Sequence, residues 1–572
     1  MKGEYIKLTN FIRGVHKFII PLYQRNYEWT LDNCRILYED LLELKNENRK
    51  KHFIGSIVSK KEIESENNII LIDGQQRIIT IFLIYLAMYN LIKEEEIETS
   101  INAEEIKEEF LLYKFSKEKN KYKIASTEKD SKDINSLINN NIDLKQKTDS
   151  NIIENYSFFY NELKNKKISI DDLYREINKL GIISITLDYD ENPQLIFESL
   201  NSTGLPLKNS DKIRNFLLMQ INTEEEQENI YTQYWKKIEN ILNEDFDKFI
   251  NHYLIFKNKL YATSKNVKKR SSYESFKRFF FSDDFTGYLY VLKDMHYYAE
   301  LYGDILHFTV NNDKINKYLK HFYFMSKDKI RPFLLFLLDM YQSKEISEKA
   351  IISIFEILES YLLRRFVCKR DISIFLFTII QKDMLKNEEK DYFLSFKKSF
   401  FSQVSSKIEY KFPDNNEFEE SFKKYQMKKL STNEKRRQLF YILAKIESFK
   451  CKESIDLFDN KKQFLQIEHI MPQKLSPEWI TDLGENYKKI YTTFVNNIGN
   501  LTLTGYNQEL SNKSFAFKKN IYAESSLKIN QILSQNQKFG IDEIKKRIDF
   551  LFEKALQIWV YPEELLNQEY NI

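Results

Sequence analysis

The sequence predicts a helix-rich α+β fold divided among several domains. A chain of 572 residues is too long for one hydrophobic core, so two to four domains are expected. Short apolar runs separated by turn residues fill the first part of the chain, whereas the middle shows apolar residues at helical spacing. With 12 glycines and 8 prolines, the chain has few tight turns, which favours helices.

The first predicted domain, residues 1–220, combines strands with apolar helices. Apolar runs bounded by polar turns predict strands over 18–21, 53–58, 68–73 and 181–187. Helical spacing predicts helices over 80–92 and 195–204, the second ending on a glycine turn. Residues 96–150 are rich in Lys, Glu, Asn and Ser and predict exposed helices or a partly mobile insertion.

Two further domains are predicted after residue 220. Residues 221–430 are expected to form helices that link the outer domains, with aromatic side chains in their core. Within them, Arg364 and Arg365 are expected to pair with acidic groups between helices, and lining a DNA channel is the less favoured alternative. Residues 431–572 begin with a charged helix and continue into a short apolar strand that ends near His469.

The overall charge excludes a protein that is basic over its whole surface. Lys and Arg total 87 against 84 Asp and Glu, which leaves a net charge of +3. The three cysteines form no CxxC pair, which argues against a zinc knuckle or a disulfide framework and predicts a reducing, cytoplasmic location. No apolar leader or membrane span is expected from the sequence.

An Asp-Gly-Gln-Gln-Arg segment lies between a predicted strand and helix. Glycine permits a tight turn there, and the unpaired N–H groups at the helix start favour anions. Gln75, Gln76 and Arg77 could hold a phosphate, with Asp73 placing a metal ion or a ribose hydroxyl. A plain strand-to-helix turn, with Asp73 as N-cap and Arg77 in a surface ion pair, is an equally supported alternative.

A loop of mixed aromatic and polar residues precedes that motif at 20–29. Aromatic and Arg side chains interleaved on a loop can stack on bases or a nucleotide ring. Packing against the domain core is the favoured interpretation for Tyr27 and Trp29. Ligand binding is favoured for Gln24 and Arg25.

Four segments of the first domain resemble, in order, the ParB/sulfiredoxin-like N-terminal domain of GmrSD-type proteins: 21–29, 55–57, 73–77 and 201–207 with its following Asp211. The resemblance implies binding and hydrolysis of a nucleoside triphosphate, ATP or GTP, and sensing of modified DNA. It assigns the nucleotide contacts to Gln24, Arg25, Asp73, Gln75, Gln76 and Arg77. Ser202, Thr203 and Asp211 match the later motif.

Glu468 and His469 form the candidate catalytic pair of the last domain. His469 follows an apolar strand and precedes Pro472, which fixes the imidazole at the strand end, where it can act as a general base. Glu468 offers a hard oxygen ligand of the kind that Mg²⁺ or Mn²⁺ prefers. Adjacent strand residues point to opposite faces, so Glu468 is the less secure member of the pair.

Amide and basic residues after this pair complete the predicted site. Asn500 is expected to hold the His469 ring in its base-competent tautomer, and the carbonyl of Asn507 to complete the metal shell at the start of a helix over 508–517. Contacts to the DNA backbone are expected from Asn512, Lys513, Lys518 and Lys519.

This pattern resembles the HNH domain, a ββα-metal or His-Me finger fold, that forms the C-terminal part of the same GmrSD-type proteins. It lacks the cysteines of zinc-stapled HNH domains, and Asn507 takes the last ligand position. The two resemblances imply a type IV, modification-dependent restriction endonuclease of bacterial antiphage defence, cutting double-stranded, modified phage DNA under nucleotide control.

Two alternatives stay open at this point. If the HNH-like fold has lost its activity, the protein would be a nucleotide-sensing, DNA-binding regulator. Alternatively, the N-terminal domain itself would be the nuclease. A homodimer is compatible with the sequence, which does not specify the DNA modification or the nucleotide.

Overall fold

The computed structural model divides the chain into two compact units. The N-terminal unit is Met1–Asn240 with Phe280–Lys293, and the C-terminal unit is Ile241–Phe279 with Asp294–Ile572. The helix-rich α+β fold class is confirmed, and the predicted boundaries at residues 220 and 430 stay predictions. The structure describes residues 2–14, 16–62, 67–94, 97–113, 122–139, 148–165, 167–188, 191, 196, 208–221, 223–257, 271–280, 287–325, 328–386, 391–427, 433–449 and 465–563.

A six-stranded mixed sheet forms the centre of the N-terminal unit. Its strands are β1 (Lys2–Lys7), β2 (Lys17–Ile19), β3 (His52–Lys61), β4 (Asn68–Asp73), β5 (Ile124–Ala125) and β6 (Leu180–Leu187). They lie in the order β1-β6-β3-β4-β2-β5. The pairs β1/β6 and β3/β4 are antiparallel, and β3/β6, β2/β4 and β2/β5 are parallel. All four predicted strands are present.

Helices of the N-terminal unit cover this sheet. They are α1 (Leu8–Ile12), α2 (Leu31–Asn46), α3 (Gln75–Lys93), α4 (Ala103–Ile106), α5 (Glu128–Ile138), α6 (Asn151–Lys164), α7 (Ile170–Ile177), α8 (Asn209–Leu218) and α9 (Glu224–Ile230), with π-helical turns at Lys107–Leu111 and Tyr231–Trp235. Ile106, Phe110 and Leu111 are buried, so the predicted exposed or mobile insertion contributes to the core. The helix predicted over 195–204 lies outside the described residues except for one position.

Helix α3 is apolar on nearly all sides. Among the described helices it alone is long and apolar enough to span a bilayer, and 89% of its most apolar window is buried inside the protein. It enters from β4 through Gly74, whose φ of +95° is the left-handed region that favours glycine. A Cβ at Gly74 would lie 2.8 Å from Ile57 Cγ1, so the turn requires glycine on two counts.

The C-terminal unit is largely helical, and α10 (Lys236–Leu242) leads into it. Its described helices are α11 (Phe246–Phe256), α12 (Ser272–Phe280), α13 (Tyr288–His307, of which Asp294–His307 belongs to this unit), α14 (Asp313–Phe324), α15 (Arg331–Gln342), α16 (Glu348–Val367), α17 (Ile374–Leu385), α18 (Tyr392–Ser406), α19 (Asn415–Lys423), α20 (Asn433–Ser448), α21 (Pro477–Leu483), α22 (Tyr487–Phe494), α23 (Asn507–Leu510), α24 (Phe515–Glu524), α25 (Lys528–Ser534) and α26 (Ile541–Ile558), with 3₁₀ turns at Asn243–Asp245, Asp328–Ile330 and Ile498–Asn500.

Two arginines of α16 bind backbone carbonyls in the interior of this unit. Arg364 is fully buried and donates to Trp559 O at 2.8 Å and Pro413 O at 3.1 Å. Arg365 donates to Lys411 O and Glu409 O, both at 2.8 Å. Neither the favoured acidic pairing nor the DNA channel is therefore correct, because each guanidinium satisfies carbonyl groups between helices.

A two-stranded antiparallel sheet and two short helices contain the C-terminal motif. Strands β7 (Gln466–His469) and β8 (Leu501–Thr504) are antiparallel, with His469 opposite Leu501. The single helix predicted over 508–517 is in fact two, α23 and α24, interrupted at Ser511, where φ is +32°. A Cβ at Gly499 would lie 2.5 Å from Ile548 Cγ1, so the glycine before β8 permits close packing on α26.

Candidate active site

His469 is the last residue of β7 and faces a cleft of about 870 Å³. The two residues after it, Ile470 and Met471, are fully buried in a hydrophobic cluster with Trp479 and Phe515. That anchoring fixes the backbone on the C-terminal side of the histidine. The imidazole is therefore held at the end of a strand while its ring reaches an open cavity, as the sequence predicts.

Two amides contact the His469 ring at the same nitrogen. Nε2 lies 3.2 Å from Asn496 Oδ1 and 3.2 Å from Gln473 Nε2. When Nε2 is protonated it donates to Asn496 and Nδ1 carries the lone pair, whereas an unprotonated Nε2 accepts from Gln473 Nε2 instead. Within the described residues Nδ1 has no hydrogen-bond partner. Burial lowers the pKa of His469, the hydrogen bond to Asn496 raises it in part, and the charge of Lys518 lowers it further. The net shift is downward, which favours the neutral imidazole at neutral pH.

The Glu468 carboxylate is largely buried and is held by a lysine of α24. Its Oε1 lies 2.6 Å from Lys518 Nζ, and Lys518 also donates to His469 O at 2.9 Å. Burial raises the pKa of Glu468 and lowers that of Lys518, since it penalises the charged form of both groups. Glu468 still lines the cleft, although an internal cation occupies one of its oxygens.

Asn500 does not contact the imidazole, which corrects its predicted role. The side chain is fully buried and donates to Met471 O at 2.9 Å and Val495 O at 2.8 Å. Its Oδ1 accepts from Met471 N at 2.7 Å. Asn500 therefore fixes the backbone just after the histidine, and Asn496 is the amide that meets the ring.

Asn507, the first residue of α23, lines the cleft with His469 and Glu468. Its Nδ2 donates to Gln466 Oε1 at 3.1 Å and Ile467 O at 3.4 Å. Its Oδ1 is buried and has no hydrogen-bond partner in the described part of the chain. A buried amide oxygen without a donor is suited to a hard cation.

A cluster of three or more His, Cys, Asp or Glu side chains suited to a metal ion is absent from the described residues. The candidate cation ligands are therefore one carboxylate and one amide oxygen, Glu468 and Asn507. Such a sparse oxygen set suits Mg²⁺ or Mn²⁺, which retain several waters, better than zinc.

The four predicted DNA contacts lie in different environments, and one of them, Lys519, is half-buried and does not line the cleft. Asn512 is exposed and lines the cleft. Lys513 is exposed outside it, with Nζ 5.5 Å from the centre of the Phe517 ring. Lys518 is fully buried in its ion pair with Glu468, so the prediction that it contacts DNA is corrected.

Two arginines outside the predicted set of site residues also line the cleft. Arg436 is exposed and Arg437 is half-buried, and both belong to α20. The signal in the sequence is an adjacent pair of arginines on a charged helix that leads toward β7. Such pairs are common on solvated helix faces, so the sequence alone offers no reason to prefer this one.

In the N-terminal unit, two of the predicted nucleotide contacts instead hold the 24–29 loop. Gln24 is buried and donates to Leu71 O at 3.0 Å and Ile72 O at 2.7 Å. Gln76 Oε1 accepts from Glu28 N at 2.8 Å and Trp29 N at 3.2 Å. These bonds give both amides a structural role in place of the predicted ligand contact.

The neighbouring charged groups of this motif are partly engaged. Arg77 Nη1 donates to Ser56 O at 2.5 Å, and Arg25 pairs with Glu28 at 2.9 Å. The side chain of Asp73 has no hydrogen bond or ion pair within the described residues, and it does not cap α3, whose N-cap is Gly74. The alternative with an Asp73 cap and a surface ion pair of Arg77 is therefore wrong.

Gln75 is buried and donates to Arg25 O at 3.1 Å, whereas its Oε1 is buried without a partner in the described residues. Tyr27 is buried and Trp29 packs against the core, which confirms the interpretation given for both. The acceptors Asp73 and Gln75 Oε1 are thus the polar groups of the motif that the fold leaves available.

The later motif of this unit is described only at its end. Asp211 is buried beside Arg214, with an Oδ1–Nη2 distance of 2.9 Å, and Arg214 also donates to Tyr23 O at 2.8 Å. This links α8 to the loop before the 24–29 segment. Ser202 and Thr203 lie outside the described residues.

Two family models match the chain and together cover more than half of it. Residues 8–218 match the N-terminal domain of the GmrSD restriction endonuclease. Residues 412–554 match the C-terminal domain of the GmrSD restriction endonucleases, and this range contains β7, β8 and the cleft histidine. No curated protein matches the chain.

Proposed function

We propose, from the premise that the chain belongs to the GmrSD restriction endonuclease family, that the C-terminal cleft hydrolyses phosphodiesters of DNA with His469 as general base. The observation that carries the proposal is the placement of His469: its ring reaches the cleft, burial favours its neutral form, and Nδ1 has no partner in the described residues. A neutral imidazole with an available nitrogen is what water activation requires.

In this mechanism His469 Nδ1 accepts a proton from a water molecule while Asn496 Oδ1 accepts from Nε2 and holds the ring. The water oxygen forms the new bond to phosphorus as the bond to the leaving oxygen breaks, and the leaving oxygen takes a proton from solvent. Asn500 acts indirectly, because it fixes the backbone that follows the histidine.

Asn507 Oδ1 and Glu468 are the oxygen ligands that would hold Mg²⁺ or Mn²⁺ beside the histidine. When bound, such a cation neutralises charge on the phosphate and on the leaving oxygen. The fit is supported by the buried, unpartnered oxygen of Asn507. Lys518 would remain the counterion of the inner carboxylate oxygen of Glu468.

Control by a nucleotide is the second part of the proposal. In the N-terminal unit, the first turn of α3 has no side-chain cap, and its N–H groups suit phosphate oxygens. Asp73 and Gln75 Oε1 would accept from ribose hydroxyls of ATP or GTP, and Arg77 would contribute positive charge. Turnover there would license cleavage of modified phage DNA in the cytoplasm, as the family resemblance implies.

The test is a cleavage panel with the full chain. Unmodified and modified plasmid and phage DNAs are incubated with Mg²⁺ or Mn²⁺, with and without ATP or GTP. His469→Ala is expected to lower cleavage by about 10²–10⁴-fold, the usual contribution of a general base, and to leave nucleotide hydrolysis unchanged. His307→Ala is the matched control, because His307 ends α13 and does not line the cleft.

The panel also distinguishes the alternatives. Cleavage that survives His469→Ala and is lost in Asp73→Ala would place the nuclease in the N-terminal unit. Binding without nicking on every substrate would support an inactive HNH fold, an alternative that the internal pairing of Glu468 with Lys518 favours.

A further inference from the structure

Among the described residues, three cations and one carboxylate line the cleft that contains His469. Arg436 and Arg437 of α20 and Lys474 supply the positive charge, and Glu468 supplies the negative charge. The carboxylate is already neutralised by Lys518. Within the described residues, none of the three cations forms an ion pair or a hydrogen bond. The described side chains that line the cleft therefore carry a net positive charge.

Other cations of this unit that stabilise the fold have partners, either carboxylates or backbone carbonyls. Arg331 lies 3.0 Å from Asp328, and Lys423 lies 2.7 Å from Asp549. Single unpaired lysines on a convex surface are solvated and need no further partner. Three unpaired cations on one concave wall are different, because concave, low-dielectric walls concentrate the field and attract anions.

Arg437 is held in a defined position. Its guanidinium carbon lies 4.9 Å from the centre of the Tyr323 ring, and its Nε is buried without an acceptor in the described part of the chain. Stacking on an aromatic ring occupies the face of a guanidinium and leaves its N–H edge for an acceptor. Planar N–H edges match phosphate oxygens, two bonds at a time.

We infer that Arg436, Arg437 and Lys474 form a phosphate-binding wall that holds the DNA backbone against His469. The inference rests on the proposed function and assigns the principal backbone contacts to α20 and the segment after β7, in place of Lys518. Backbone contacts carry no sequence information, so the wall grips modified and unmodified duplexes alike. It positions the strand, and recognition of a modification occurs elsewhere.

The experiment measures DNA affinity apart from cleavage. Fluorescence anisotropy follows the binding of labelled duplexes, unmodified and modified and of three unrelated sequences, to the His469→Ala protein. The test variant adds Arg436→Ala and Arg437→Ala. The control adds Lys545→Ala and Lys546→Ala, which remove two adjacent, exposed charges of α26 outside the cleft.

The arginine variant is expected to bind every duplex at least about tenfold more weakly near 0.1 M salt. The slope of log affinity against log salt is expected to fall by about two, one for each phosphate that an arginine no longer neutralises. The lysine control is expected to stay within about twofold of the His469→Ala protein. Arg436→Lys with Arg437→Lys is expected to recover the salt slope but only part of the affinity, since charge persists without the planar edge.

Unchanged affinity and salt slope in the arginine variant would overturn the inference, as would an equal loss in the lysine control. A loss confined to modified duplexes would also overturn it, since that would indicate base recognition. Thermal melting of each variant shows whether it is folded. Arg436→Gln changes only an exposed side chain, so its DNA affinity can be measured with little risk of unfolding the protein. Failure of the proposed function is distinct: the wild-type protein would bind DNA through this wall and cut none.

Discussion

The two recognisable motifs of this protein differ in how their polar groups are used. In the N-terminal motif the fold uses the amides of Gln24 and Gln76, which bind strand carbonyls and loop N–H groups, and it leaves two acceptor groups, Asp73 and Gln75 Oε1, without partners among the described residues. In the C-terminal motif the fold leaves His469 Nδ1 and Asn507 Oδ1 without partners among the described residues. The polar residues of a recognisable motif can therefore stabilise a loop or remain available for a ligand or a reaction. Their hydrogen-bond partners show which of these two roles each residue has.

Lys518→Met gives the largest expected effect and tests whether the C-terminal motif also has a structural part. The change leaves Glu468 buried without its counterion, and the free energy of unfolding of the C-terminal unit is expected to fall by about 3–5 kcal/mol. Chemical denaturation measures it. Lys519→Met, on the same helix, is the control. Adding Glu468→Gln to Lys518→Met should restore much of the stability but not cleavage. If Lys518→Met alone lowered the free energy of unfolding by less than about 1 kcal/mol, the ion pair would be dispensable.

Gln76→Ala is the matching test in the N-terminal unit. It leaves the N–H groups of Glu28 and Trp29 without their acceptor, which should cost about 2 kcal/mol of unfolding free energy. Gln75→Ala removes one bond to Arg25 O and an oxygen that has no donor, so a smaller loss is expected. Equal losses in urea denaturation of the two variants would contradict the structural role given to Gln76.

Asp130 allows a pH test of the same loop. It accepts from Tyr27 N at 2.8 Å, and burial raises its pKa to about 6. A carboxyl with a raised pKa binds a proton on folding, so its contribution to stability is lost as pH rises from about 4 to 6. Asp130→Asn should therefore stabilise the N-terminal unit by about 2 kcal/mol at pH 8 and little at pH 4. Asp32→Asn, at an exposed carboxyl, should show no such difference between the two pH values. If Asp130→Asn stabilised the protein at pH 4 but not at pH 8, the prediction would be refuted.

Asn496→Ala has the smallest expected effect and sharpens the C-terminal side of the comparison. Loss of the hydrogen bond to His469 Nε2 should lower cleavage about tenfold, roughly 1.4 kcal/mol in the barrier, with stability nearly unchanged. Cleavage rates and melting temperatures are measured together. Asn520→Ala, an exposed amide on α24, is the control. A drop in melting temperature without a drop in rate would make Asn496 a structural residue.

The sequence predicts periodic elements well and side-chain partners poorly in this protein. Strands β3, β4 and β6 follow from apolar runs, and His469 at a strand end follows from Pro472. The break at Ser511 escapes prediction because no glycine or proline marks it. Asn496 and Asn500 are four residues apart and chemically identical, so only the packing of Met471 decides which one reaches the imidazole.

Helix α3 has a consequence for how this protein is made. It is apolar nearly all round, and several elements of its unit, α6 and β6 among them, follow later in the chain. Strand β6 is completed 94 residues after α3 ends. At a translation rate of about 5–20 residues per second, the nascent helix waits roughly 5–20 seconds for that strand. During that interval the helix has the length and apolarity of a membrane-spanning segment without its partners in the fold. We therefore expect chaperones to bind the emerging chain at this helix.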